Sequence, residues 1–203
     1  PMDYIINPPK ETIIPSKIRT LLDLRSKTAL LEKAITTDPL TGVGNRRHFQ
    51  QTLDYEWRRC CRHGTSLTLV VVDIDYFKSI NDTHGHLVGD QVIAHVAKTL
   101  CAHVRRSQDT VTRYGGDECA LILPEMNCDE LFDFLERIRQ KIADVQLTQD
   151  MLKGVGSIST AMGAALTFPV AEKSSKDLLA SADEQLYRGK ESGRGCVCVG
   201  HHP

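Results

Sequence analysis

The apolar positions of this chain change period along its length, and each period predicts an element. Phe49, Leu53 and Trp57 recur at helical spacing, predicting a helix from Asn45 to His63 that Gly64 ends. An unbroken run, Leu67-Thr68-Leu69-Val70-Val71-Val72, then predicts a buried strand over 66–75. The helical period returns from Val88 to Val104 through Val92, Val96 and Leu100, and from Cys128 to Val145 through Leu131, Leu135, Ile138 and Ile142. Between them, short β-type runs at Thr110–Arg113 and Cys119–Leu123 flank Tyr114-Gly115-Gly116-Asp117-Glu118, which predicts a hairpin with a tight, glycine-permitted turn. A Thr-, Ala- and Ile-rich stretch over 157–167 predicts another strand, and Ser175 to Lys190 a closing helix. The order βαββαβ, with additions, implies an α+β domain over 37–200. Its plan is the ferredoxin-like, palm-type one with a central antiparallel sheet.

Upstream the pattern weakens. Residues 16–36 fit one helix, with Ser16 as N-cap, Leu21, Leu24, Leu31 and Ile35 on a seam, and Thr28 at the remaining seam position. This N-terminal helix either pairs with a second copy or packs on its own domain. Residues 1–15 are Pro-rich and irregular. Asp3-Tyr4-Ile5-Ile6-Asn7-Pro8 resembles the last strand and Lys-Pro turn of a receiver domain, with Asn7 in place of lysine.

Composition narrows the function classes. In 203 residues, 25 basic side chains nearly balance 26 acidic ones, which argues against nucleic acid as a partner. No apolar run reaches membrane-spanning length and no signal peptide is visible, so a cytoplasmic location is expected. The seven cysteines form no Cys-x-x-Cys pair, and free thiols in a reducing compartment are the simplest reading. His84 and His86 form a His-x-His in the loop expected after Asn81, without a soft third ligand near in sequence.

The acidic residues carry the chemistry. The buried strand ends in Asp73-Ile74-Asp75, and residues two apart on a strand face one side. The predicted hairpin tip carries Asp117 and Glu118, and the sheet plan sets it beside that strand end. Such a group of carboxylates suits divalent cations. Backbone amides of the Tyr76-Phe77-Lys78 turn suit phosphate oxygens, and Lys78, Lys190 and Arg194 supply cations.

Several blocks resemble the GGDEF family of diguanylate cyclases. They are Asp38-x-Leu40-Thr41-Gly42-x-x-Asn45-Arg46-Arg47, Asp73-Ile74-Asp75-x-Phe77-Lys78-x-Ile80-Asn81-Asp82 and Gly85-His86-x-x-Gly89-Asp90. Arg113-Tyr114-Gly115-Gly116-Asp117-Glu118 and Ala182-Asp183-x-x-Leu186-Tyr187-x-x-Lys190-x-x-Gly193-Arg194 complete the set. One position departs from the pattern: Cys119 stands where the signature has Phe.

The resemblance implies an enzyme that condenses two GTP into cyclic di-GMP and releases two pyrophosphates. It implies Mg²⁺, with Mn²⁺ as the alternative ion, held by Asp73, the Ile74 carbonyl, Asp117 and Glu118. Asp117 and Glu118 are the implied catalytic pair, with Asp117 activating the attacking 3′-hydroxyl. Phe77, Lys78, Asn81, Asp90, Lys190 and Arg194 are the implied substrate-binding residues. Of these, Lys190 and Arg194 fall on the β- and γ-phosphates, while Asn81 and Asp90 read guanine. Asp90 disfavours adenine, because a buried acceptor left unpaired is costly. Arg106-x-x-Asp109 matches the family's inhibitory product site. One domain binds one GTP, so a homodimer is implied. The alternative is a module with weak or no turnover that senses cyclic di-GMP through Arg106 and Asp109.

Overall fold

Strand β1, Leu67–Ile74, is the spine of a five-stranded sheet. The computed structural model describes residues 18–25, 35–104, 106–144 and 157–201. The chain divides into two compact units, 1–36 and 37–203. In the first, residues 18–25 and 35–36 are helical, with Ile18, Leu21, Leu22, Leu24 and Ile35 exposed. The rest of the helix expected over 16–36, including Thr28 and Leu31, lies outside the described residues, as does the 1–15 segment.

The second unit runs α1 (Arg46–His63), β1, α2 (Phe77–His84), α3 (His86–His103), β2 (Thr110–Arg113), β3 (Glu118–Pro124), α4 (Cys128–Ala143), β4 (Thr160–Thr167), α5 (Ser175–Glu191) and β5 (Val197–His201). The strand order is β2-β3-β1-β4-β5; β1 pairs antiparallel with β3 and β4, and β5 joins β4 in parallel. This is the expected ferredoxin-like α+β plan, with β5 added through the α5 crossover.

Every residue of β1 is buried because helices cover both faces of the sheet. On one face Val70, Val72 and Leu121 pack with Val92, Val96 and Leu100 of α3 and Leu131, Leu135 and Ile138 of α4. On the other, Leu69, Val71 and Ile122 pack with Phe49, Leu53 and Trp57 of α1 and Leu178 and Ala182 of α5. Each large aliphatic or aromatic side chain buried this way contributes about 1.5–3 kcal/mol. The caps are local. The Asn45 side chain accepts hydrogen bonds from the Arg47 and His48 amides at 3.0 and 3.1 Å. Ser174 and Asp177 form a capping box at the start of α5. Gly163 lets α5 lie directly on β4, since a Cβ there would collide with the Leu186 amide and the Ala182 carbonyl.

Two elements depart from expectation. The turn and loop expected after Asp75 contain helix α2, and α3 starts at His86 rather than Val88. Helix α2 is eight residues long, buries Phe77 and Ile80 only in part, and its N-cap, Tyr76, makes no side-chain capping bond, so it carries little helical signal. His84 and His86 therefore close one helix and open the next rather than sitting in a loop. Strand β5 was hidden in the short Cys-Val-Cys-Val alternation after a glycine-rich turn. Cys119 faces the core, and burial pushes its thiol up to about 12.

Candidate active site

The carboxyl end of β1 and the β2–β3 hairpin meet because β1 and β3 are neighbours. Their register sets Asp73 directly opposite Glu118. Tyr114 and Gly115 donate backbone hydrogen bonds to the Glu118 carbonyl at 2.9 and 3.2 Å, closing the turn that carries Asp117. Arg113 braces this turn. Its guanidinium donates to the Gly116 carbonyl at 3.0 and 2.7 Å and pairs with Asp38 at 3.2 Å. Asp38 in turn accepts the Thr41 amide and hydroxyl at 2.9 and 2.7 Å. Burial opposes ionisation of Asp38, but Thr41 and Arg113 together hold its carboxyl below the usual range. Tyr114 packs edge-on to Phe49 at 4.8 Å, and Arg46 lies over its ring at 5.1 Å.

From α5, Lys190 reaches into this neighbourhood and places its Nζ 2.7 Å from Asp73 Oδ2. Asp73 is nonetheless pushed up: burial dominates, Lys190 opposes it, and the Asp117 and Asp75 charges add to it. Glu118 is pushed up likewise, by burial first and then by Asp73, with Asp117 and Asp183 adding and Lys190 opposing. Asp73, Asp117, Glu118 and Lys190 thus form one electrostatic unit. Among the described residues no three His, Cys, Asp or Glu side chains converge into a ready-made metal cluster. The oxygen set here is two or three carboxylates beside the Ile74 main chain at the strand end.

Asp75 does not join that group as strand alternation suggested. Strand β1 stops at Ile74, and Tyr76 turns to φ 56°, so the period-two rule no longer applies. Instead Asp75 Oδ2 accepts the Ser159 hydroxyl at 2.6 Å and the Gly195 amide at 2.8 Å. It ties the strand end to the segment after α5. Arg194 lies there, 5.0 Å over the Tyr76 ring and 3.9 Å from Asp75 Oδ1.

Phe77, Lys78, Asn81 and Asp90 form a separate group on α2 and α3. Gly89 allows the two helices to approach, since a Cβ there would meet Asn81 Oδ1 and lie 3.1 Å from the Phe77 ring. Asn81 Oδ1 is buried and without a hydrogen-bond partner. Lys78 and Asp90 are exposed. The expectation of a buried acceptor at Asp90 is therefore corrected. Asp90 itself lies inside α3, whose N-cap is Gly85.

Arg106 and Asp109 lie apart from the acidic group, on a cleft of about 430 Å³ that His103, Glu125, Glu130 and Phe134 also line. Arg106 Nε donates to Asp109 Oδ2 at 3.0 Å, and its other nitrogens reach the Glu125 carbonyl and Met126 Sδ, each at 3.3 Å. The Asp109 side chain is only 3% exposed, and its Oδ1 has no hydrogen-bond partner. Burial pushes this carboxyl up while Arg106 opposes the shift.

Three contributors escaped the residue-by-residue reading: Asp38 and Arg113 as a brace, and Asp183 as a further charge acting on Glu118. All three sit inside quoted motif blocks, which was the available signal. The fold and this arrangement define an α+β nucleotide-type domain with an acidic strand-end site. Residues 35–196 match the family described as "Diguanylate cyclase, GGDEF domain", and the chain belongs to the GGDEF family.

Its relatives agree. The chain is 35% identical over 167 residues to the response regulator PleD of Caulobacter vibrioides, covering 82% of this chain and 36% of PleD. It is 37% identical over 163 residues to the diguanylate cyclase DgcP of Pseudomonas aeruginosa, covering 80% of this chain and 23% of DgcP. It thus spans about a third of the first relative and a quarter of the second. The solved coiled coil and GGDEF domain of DgcB from Caulobacter crescentus, in complex with c-di-GMP, superposes with a TM-score of 0.82. That match covers 94% of this chain and 98% of that one at 31% identity. Among the described residues no helix is long and apolar enough to cross a membrane.

Proposed function

We propose that this chain condenses two GTP into cyclic di-GMP, releasing two pyrophosphates, at the site built from Asp73, Ile74, Asp117 and Glu118. The observation that carries the reading is the placement of Asp73 opposite Glu118, with Lys190 Nζ at 2.7 Å from Asp73. Two desolvated carboxyls, both raised further by the Asp117 charge and already drawing one ammonium, suit a divalent cation. Asp73, the Ile74 carbonyl, Asp117 and Glu118 would hold Mg²⁺, or Mn²⁺ in its place. Such an ion supplies charge neutralisation for phosphoryl oxygens and lowers the pKa of a bound hydroxyl.

The chain's own residues do the rest. Asp117 takes the proton of the attacking 3′-hydroxyl. Lys190 exchanges Asp73 for a phosphate oxygen, and Arg194, held over Tyr76, binds a second one. Amides at the start of α2, around Phe77 and Lys78, donate to the phosphates. The unpartnered Asn81 Oδ1 and the nearby Asp90 accept the guanine N1 and N2 protons, which adenine lacks. Each domain activates one nucleotide, so two copies face each other, with the segment over 16–36 bringing them together.

The cleft at Arg106 and Asp109 supports product binding. Asp109 Oδ1 is a desolvated acceptor awaiting a donor such as guanine N1–H, and Arg106 offers a planar fork to guanine or phosphate. The same cleft favours the second reading, a domain that senses cyclic di-GMP with little turnover. Incubation with GTP and Mg²⁺, followed by separation of the nucleotides, decides between them. Cyclic di-GMP formed from GTP supports the enzyme; unchanged GTP with retained cyclic di-GMP binding supports the receptor.

A further inference from the structure

Cys196 and Cys198 are two of the seven cysteines and take no part in the reactions above. Cys198 lies on β5 and Cys196 immediately precedes that strand. Both sulfurs gather over the same spot of α5. A Cβ placed on Gly189 would stand 3.2 Å from Cys196 Sγ and 3.4 Å from Cys198 Sγ. Cys196 Sγ also contacts the Gly189 carbonyl at 3.4 Å. Both thiols are free and partly exposed.

Their surroundings restrict what they can do. The Cys196 carbonyl holds the Met162 amide and Cys198 is paired with Gly163, so drawing the two residues together for direct S–S closure would disturb the β4–β5 pairing. No further His, Cys, Asp or Glu completes a cluster of three here among the described residues. The site therefore offers two thiolate ligands, too few for tetrahedral zinc and suited to an ion content with linear coordination. Burial and then the adjacent Cys198 sulfur push the Cys196 thiol up, while the Arg139 guanidinium pulls the other way. An ion that takes the place of both thiol protons removes that sulfur–sulfur penalty.

We propose that Cys196 and Cys198 form a two-thiolate site for a soft monovalent cation of the Cu(I) class. One Cu⁺ replaces two thiol protons, leaving a centre with one net negative charge near Arg139. Binding fixes the start of β5 against α5. The backbone on either side is already anchored: the Gly195 amide donates to Asp75, and the Cys196 carbonyl accepts the Met162 amide at 2.9 Å. The proposal is independent of the cyclase reading.

The test is titration of the reduced, metal-free chain with Cu(I) under anaerobic conditions, against a chromogenic Cu(I) chelator. One tightly held equivalent is expected. Cys196→Ser and Cys198→Ser should each weaken it at least tenfold, while Cys61→Ser and Cys101→Ser should leave it unchanged. X-ray absorption of the loaded wild-type chain should show two sulfur ligands, which keeps the test valid if a serine variant misfolds. Equal uptake by the Cys196→Ser/Cys198→Ser variant, preferential Zn(II) binding at the pair, or three or more sulfur ligands would overturn the proposal.

Discussion

The acidic strand-end site and the Arg106–Asp109 cleft are both built on buried carboxylates, yet they are opposite in kind. In the first, residues far apart in sequence meet because β1 and β3 are neighbours; burial pushes Asp73 and Glu118 up, and the Asp117 charge adds to both. In the second, one short turn supplies both partners, three residues apart, and Arg106 already satisfies half of Asp109. The first is a centre where Asp73, Asp117 and Glu118 outnumber the single ammonium of Lys190, which calls for further cations. The second is a half-made hydrogen-bonding surface that calls for a planar donor. The difference teaches that a raised carboxyl pKa alone does not name a function: burial is the largest cause at both sites, and the neighbours, further carboxylates in one and Arg106 in the other, set which ligand suits each.

The largest effect should come from breaking the first site. Asp117→Ala removes a proposed cation ligand and the proton acceptor together, and should lower cyclic di-GMP formation by about a hundredfold or more. Circular dichroism should show an intact fold, because the hairpin turn is held by Arg113 and backbone hydrogen bonds rather than by Asp117. Near-normal turnover would remove Asp117 from the reaction.

Arg106→Ala sharpens the other side of the comparison. Losing a charge-assisted contact costs about 1.5–3 kcal/mol, so calorimetry should show cyclic di-GMP binding weakened about tenfold or more. Product inhibition should be relieved in step. Unchanged affinity would reduce the pair to an ordinary ion pair.

Discrimination between bases should respond to a similar or smaller degree. Asp90 is exposed in the structure, so its worth to guanine depends on how far the nucleotide buries it. Asp90→Ser should cut the preference for GTP over ATP by up to about tenfold in competition assays. Equal use of both nucleotides by the unaltered chain would contradict the guanine assignment.

The smallest effect is on stability. A carboxyl whose folded pKa is raised binds more protons folded than unfolded, so folding stability falls as pH rises through that range. Glu118→Gln should therefore raise the melting temperature in chelator at neutral pH. The gain should fade as pH falls through the raised value and vanish below the ordinary glutamate value, where both states are protonated. A variant that melts lower at neutral pH would show that Glu118 is satisfied rather than strained.

Much of this was legible in the sequence, and the exceptions have physical reasons. The β1 run and the hairpin showed themselves because a central strand must be apolar throughout and a tight turn must be glycine-rich. Their antiparallel order then put Asp73 near Glu118. Asp75 was misplaced because the strand ends one residue earlier and Tyr76 reverses the chain, which no alternation rule foresees. Helix α2 was missed because it is only eight residues long and buries Phe77 and Ile80 only in part. The Lys190–Asp73 contact joins residues on α5 and β1, and only the packing of α5 over Gly163 brings them into reach.

The central claim is that the Asp73–Glu118 register builds a cation-dependent GTP-condensing centre. Cyclic di-GMP and pyrophosphate should be measured together across a Mg²⁺ titration, for the unaltered chain and for Asp73→Asn. The account predicts Mg²⁺-dependent product with two pyrophosphates per cyclic di-GMP in the unaltered chain, and at least about a hundredfold less in Asp73→Asn. Product formation without a divalent cation, or near-normal turnover and Mg²⁺ response in Asp73→Asn, would contradict it.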